Sequence, residues 1–197
     1  EYDGACLVVT QPPDGFRPLA HGPVQAAEGD PEPEPLVYAT WSEADKSTDM
    51  VLSDDGLVAT TSDDNNWEAV RATVGKDAGK WYFEVVITTG GSGIFGVGVG
   101  LASANIDAGP GRSPGGIGWG QDASIWKNQS RSTPGGLSSY GVGDVLGIAV
   151  DFDAMTISFY KNGAAQAATA TLDSGTYYPM VGGGYNGVDT FEANFGQ

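Results

Sequence analysis

A chain of 197 residues with 31 glycines, 10% aromatics and a formal net charge of −16 can hold one well-buried domain plus an appendage, and so much glycine argues for short strands over helices. With only 9 lysines and arginines it repels a nucleic-acid backbone and an anionic membrane surface, and no apolar run reaches the roughly 18 to 20 residues that span a bilayer. A single cysteine, Cys6, and a single histidine, His21, exclude an intrachain disulfide, a thiolate metal cluster and the usual zinc constellations.

The segment 1–36 holds seven of the eleven prolines and closes on Pro31-Glu32-Pro33-Glu34-Pro35, a composition that disfavours helix and sheet alike. An extended, self-repelling arm is expected there, with the domain proper at 37–197, so that removal of 1–35 leaves a folded domain. Within the arm the apolar run 5–10, centred on Leu7, Val8 and Val9, is strand-like and needs an edge to pair with, on its own domain or on a neighbouring subunit of an assembly.

Strand signals then follow at short spacing. They fall at 56–60, 69–73, 80–88, 94–101, 117–120 and 124–126, with 42–51 the one stretch where a turn or two of helix competes. The clearest pattern comes later: Leu146, Ile148, Val150 and Phe152 alternate with smaller or polar residues, as do Met155, Ile157 and Phe159. Asn162-Gly163 supplies a tight hairpin turn, which makes the alanine-rich 166–172 a third strand despite its helical propensity. Strands at 177–181 and 188–195 close the chain. The expected fold is all-β, a two-sheet antiparallel sandwich with an extended proline-rich N-terminal arm, and long polar connections at 62–67, 103–115, 127–140 and 182–187 are where recognition is expected.

Gly79-Lys80-Trp81-Tyr82-Phe83-Glu84-Val85, Phe95-Gly96-Val97-Gly98-Val99-Gly100, Gly143-Asp144-Val145-Leu146-Gly147, Ile157-Ser158-Phe159-Tyr160-Lys161-Asn162-Gly163, Tyr178-Pro179-Met180-Val181 and Asn194-Phe195-Gly196 together resemble the SPRY domain family, in its order, from about 37 to the end. The resemblance implies a twisted concanavalin-like sandwich that binds proteins through loops at one end, generally without catalysis. Ala39-Thr40-Trp41, Ala44-Asp45-Lys46-Ser47 and Val70-Arg71-Ala72-Thr73 look more like bacterial and phage versions, which implies a virion part such as a fibre, spike or capsid decoration.

Reactive chemistry is sparse. His21 sits in the arm, so a nucleophile-histidine site would have to form from outside the domain. Gly91-Ser92-Gly93-Ile94-Phe95-Gly96 satisfies GxGxxG, but the following Val97-Gly98-Val99-Gly100 alternates like a strand where a phosphate site needs a helix. Asp54-Asp55, Asp63-Asp64-Asn65-Asn66 and Glu68 are rich in oxygen without EF-hand spacing, and read as solvated turns. No catalytic residue, metal ligand or cofactor is expected.

Aromatics divide in two. Trp41, Trp81, Phe83, Phe159 and Phe195 fit the core. Trp67, Trp119, Trp126, Tyr140 and Tyr185 stand at or beside the loops, where rings anchor a protein or stack on a sugar. The candidate ligand-binding residues are therefore Asn65, Asn66, Trp67, Asp107, Arg112, Trp119, Arg131, Tyr140, Tyr185 and Asn186. The expected function is non-catalytic: a binding or structural module of a phage particle or other extracellular assembly, anchored by its arm and recognising a protein or a host surface. A cytoplasmic address is the alternative. A homotrimer would suit a fibre, though no heptad seam encodes one. Two further alternatives stand, a carbohydrate-binding sandwich and, behind it, a concanavalin-like glycan hydrolase.

Overall fold

The computed structural model describes residues 11–21, 37–62, 66–90 and 96–197. In chain order its strands are β1 (Arg17–Pro18), β2 (Ala20–His21), β3 (Val37–Tyr38), β4 (Trp41–Lys46), β5 (Val51–Ser53), β6 (Val58–Thr60), β7 (Glu68–Ala72), β8 (Lys80–Thr89), β9 (Gly96–Leu101) and β10 (Gly116–Gly120). They continue as β11 (Ser124–Lys127), β12 (Ser130–Ser132), β13 (Val145–Asp151), β14 (Thr156–Lys161), β15 (Ala164–Thr171), β16 (Tyr177–Gly183) and β17 (Thr190–Asn194). The only helical turn among the described residues is a 3-10 turn at Asp54–Gly56.

Two sheets stack as the alternation demands. One runs β15-β14-β13-β8-β17-β6-β5 and the other β12-β11-β10-β9-β16-β7-β4, while β2 and β3 form a short ribbon. Ile148 of β13 lies opposite Phe83 on one side and Phe159 on the other, so each strand of the meander brings a large apolar side chain to the same inner face. The turn that joins β14 to β15 has Asn162 at φ 50° and Gly163 at φ 78°, the left-handed pair the sequence supplies. Phe83, Val85, Ile148, Phe159 and Phe191 meet Trp41, Val70, Val97, Ile117, Trp119 and Val181 in one buried core.

The region 42–51 is not helix: it is strand as far as Lys46, then a turn that leads into β5. Trp41 lies opposite Ala72 on β7, its ring is buried, and its indole Nε1 donates to the Leu57 carbonyl at 3.0 Å, contacts that a helix at this position would forfeit. Trp41, Phe83, Phe159 and Phe195 are all core residues, as expected; Trp81 packs on the core rim beneath the Lys76 ammonium, 4.0 Å from its ring centre.

Part of the segment expected to form an arm lies on the sandwich. β1 pairs in parallel with β8, Arg17 opposite Trp81 and Pro18 opposite Tyr82, beyond the point where β17 stops at Glu84. Pro12 and Pro18 share a recess with Tyr82 and Glu84, and Leu19, only 3% exposed, enters a gap lined by Trp81, Phe83, Val99 and Tyr177 from both sheets. Leu19→Ala is accordingly expected to cost about 2 kcal/mol or more in a urea titration, and removal of 1–35 to destabilise the domain further instead of leaving it intact. A truncation as stable as the full chain would contradict this. Leu7, Val8 and Val9 fall outside the described residues.

Candidate ligand-binding cleft

The glycines of β9 and β10 create the platform for the site. Val97, Val99, Ile117 and Trp119 point into the core, which leaves Gly96, Gly98, Gly100, Gly116, Gly118 and Gly120 on the opposite face. Without side chains there, the connection 102–115 folds back flat across the sheet. A Cβ placed on Gly118 would stand 2.8 Å from the Pro110 ring, and one on Gly182 of β16 would stand 3.0 Å from the Gly109 Cα. Ala104 packs with Ala69 and Met180 in a second small buried cluster on this outer face.

Arg71 of β7 fastens the connection. Its buried guanidinium forks onto Asp45 at 2.6 and 2.7 Å and donates to the Ala102 and Ala104 carbonyls. Ser47 adds a hydroxyl bond to the Ile106 carbonyl at 2.5 Å. These bonds fix where Asp107, Gly109 and Arg112 stand.

A cleft of about 490 Å³ opens where this connection meets three others, lined by Ser47, Thr48, Asp49, Asn66, Trp67, Glu68, Asp107 and Tyr185. Its aromatic wall is a stack. Tyr185 and Trp67 lie nearly parallel, 12° apart with ring centres 6.2 Å apart, and the Arg112 guanidinium sits 4.1 Å from the ring centres of both Trp67 and Trp126. Burial draws the Arg112 pKa below its usual value, the Asp122 carboxylate offsetting this only in part, and a guanidinium remains charged under those conditions. The loop bearing Tyr185 is held by Asp189, which is fully buried: its carboxylate accepts from Gly184 N–H at 2.8 Å and its own N–H donates to Thr61 Oγ1 at 2.9 Å. Glu68, 2% exposed, accepts from the backbone N–H of Ser62 at 2.9 Å and from the Ser62 hydroxyl.

The structure brings Asn66, Trp67, Asp107 and Tyr185 together in this one cleft, with Arg112 against Trp67 and Asn186 beside Tyr185. Asn65 lies outside the described residues. Two aromatic candidates are corrected. Trp119 is 0% exposed because it follows the inward alternation of Ile117, and Tyr140 folds in against it, ring centres 5.1 Å apart, with its hydroxyl donating to the Trp119 carbonyl at 2.6 Å. Neither reaches a ligand. Burial raises the Tyr140 pKa well above the ordinary phenol value, so it stays protonated and keeps that bond. Arg131 lies away on β12, paired at 2.7 Å with Asp122; burial pushes the Asp122 carboxyl up, but hydrogen bonds from Ser124 and Arg131 outweigh it and hold the group below its usual range.

Ser47, Thr48 and Asp49 were not marked by the sequence, since nothing local distinguishes them from a helical turn, and Glu68 stood out only as an oxygen donor. Among the described residues no three His, Cys, Asp or Glu side chains converge as a metal ligand set.

Loops from a glycine-faced sandwich that converge on an aromatic and acidic cleft can be set beside known proteins. The family model for the SPRY domain matches residues 80–197. This chain belongs to the SPRY domain family. Relatives of the SPRY chain include the ATP-dependent RNA helicase Ddx1 of Drosophila melanogaster, 31% identical over 147 residues, covering 72% of this chain and 19% of the helicase. Ran-binding protein 9 of Xenopus laevis is 30% identical over 190 residues, covering 91% of this chain and 33% of that protein. The chain thus spans about a fifth to a third of the length of these relatives. Both come from animals, unlike the bacterial and phage versions that the segments at 39–47 and 70–73 suggested. The crystal structure of the SPRY domain of human HERC1 superposes with a TM-score of 0.69 at 20% identity, over 80% of this chain and 98% of that one, which bears out the two-sheet fold.

Proposed function

We propose that this SPRY domain is a non-catalytic protein-binding module and that the cleft between Thr48, Trp67, Asp107 and Tyr185 is where its partner docks. The observation that carries this is the convergence: four connections from separate places in the chain place a 45% exposed tyrosine, a stacked tryptophan and polar groups around one opening of about 490 Å³. That combination of an apolar platform, polar orienting groups and a fixed backbone suits capture of a peptide segment. Ran-binding proteins appear among the relatives by name, which supports a protein as the partner class. The proposal is confined to binding and assigns the carboxylates of the cleft no catalytic step.

The finer expectations of a virion address, a host glycan and a trimer draw no support from the animal relatives, and the binding proposal does not depend on them. Peptides selected on the full chain from a displayed random library provide the test. Trp67→Ala is expected to weaken the selected peptides about tenfold or more while thermal unfolding stays within a few degrees of the parent. Peptides indifferent to both Trp67→Ala and Tyr185→Ala would place recognition elsewhere.

A further inference from the structure

The cleft carries a charge imbalance. Asp49, Glu68 and Asp107 line it, and among the described residues no lysine or arginine does. The cations on the neighbouring strands and loops are already engaged: Lys46 donates to the Met50 carbonyl and lies 3.7 Å from Glu43, Arg71 is forked onto Asp45, and Arg112 is stacked on two indoles. Neither Asp49 nor Asp107 has a side-chain hydrogen bond or ion pair among the described residues. Glu68 is the more telling group, because it is 2% exposed and, among the described residues, its hydrogen bonds come from Ser62 and no cation pairs with it. A buried carboxylate that forms part of a cleft wall, with no counter-charge among the described residues, is a site waiting for one.

Three classes of occupant can be compared by their chemistry. An anionic segment would meet three carboxylates. A divalent cation needs ligands that converge, and among the described residues no set of three does so. A neutral sugar could stack on Trp67 or Tyr185 but would leave Glu68 uncompensated. An organic cation answers every feature at once: its charge pairs with the carboxylates, and the half-exposed Tyr185 ring, backed by Trp67, presents an aromatic face to it. Arginine fits best, since a planar guanidinium both stacks and forks onto a carboxylate. The volume of the cleft exceeds what one guanidinium occupies, which leaves room for the flanking backbone of a peptide.

Resting on the reading of the cleft as a peptide site, we infer that its occupant is a basic segment of a partner protein, with an arginine side chain seated between the Trp67–Tyr185 wall and the carboxylates of Glu68 and Asp107. The net charge of −16 adds long-range attraction for such a segment, so the test has to separate the seat from the general field.

Fluorescein-labelled peptides of one neutral scaffold, differing only in whether the central residues are arginine, glutamine or glutamate, are titrated with the full chain at physiological ionic strength, where surface fields fade within about 8 Å. The arginine peptide is expected to bind at least about tenfold more tightly than the glutamine peptide. Asp107→Asn and Glu68→Gln should each remove most of that preference, whereas Asp153→Asn, the same charge change on an exposed turn, should leave it within about twofold. Asp107 is exposed, so its variant carries the test even if Glu68→Gln perturbs folding. Equal losses from Asp153→Asn and Asp107→Asn would reduce the effect to a general field and overturn the inference. A glutamine or glutamate peptide that binds best and is lost on Trp67→Ala would overturn the basic occupant and keep the cleft as the binding site. Tight binding of any of the three that ignores Trp67→Ala would overturn both.

Discussion

Replacing Trp119 by alanine is expected to cost about 3–5 kcal/mol of stability, a large share of the roughly 5–15 kcal/mol that holds a domain of this kind together. The ring is fully buried, edge-on to Phe159 at 5.6 Å and to Tyr140 at 5.1 Å between ring centres, and its Nε1 donates to the Ser138 carbonyl at 3.0 Å. Truncation empties a space between β10 and β14 that neighbours on both sheets cannot close without moving strands. It also removes the edge contact that seats Tyr140. Trp119→Phe keeps most of the packing and loses the indole donor, so a cost of about 1–2 kcal/mol is expected there. Urea unfolding of the two variants checks both figures. A Trp119→Ala protein as stable as its parent but unable to bind would return this residue to the recognition surface.

Gly118→Ala is expected to be nearly as damaging and to act on function as well. The new methyl group would overlap the Pro110 carbonyl, with the Pro110 Cβ at 2.8 Å. Neither side can yield cheaply: Gly118 is paired on both edges, with Gly98 and Trp126, and the connection above it is tied down through Arg71 and Ser47. Overpacking of this kind costs about 1–3 kcal/mol or more. The relief available is to lift Pro110, and Arg112 lifts with it, which takes away the support behind Trp67. Lower stability, an altered tryptophan fluorescence spectrum and weakened peptide binding should therefore appear together. Gly135→Ala is the control, since a Cβ there meets nothing within 4 Å. A Gly118→Ala chain with parental stability and binding would mean that the connection does not lie on the sheet.

The difference between these tryptophans explains how far the sequence could be read. The sandwich was legible because Leu146, Ile148, Val150 and Ile157, Phe159 carry their burial in a local period of two, and because Asn162-Gly163 announces its turn. Trp67 and Trp119 look alike by comparison, each among small or polar neighbours. What separates them is parity: Trp119 shares the inward face of Ile117, whereas Trp67 precedes β7 and turns onto the loop side. The two-residue strands β1, β2 and β3 have no period to read, and β1 owes its pairing to an edge of β8 that β17 leaves open. Likewise the cleft depends on a connection folding back over glycines distant in sequence. Its length was visible, but its path was set by Arg71, a charged residue whose partner Asp45 lies 26 positions away.

An amide chemical-shift map of the full chain, titrated with a peptide that survives selection, tests the central claim most directly. Binding at the cleft predicts the largest perturbations at Thr48, Trp67, Asp107 and Tyr185, with Trp119, Tyr140 and the meander β13 to β15 unmoved and the peptide intact at the end of the titration. Perturbations centred on another face of the sandwich, or cleavage of the peptide, would contradict it.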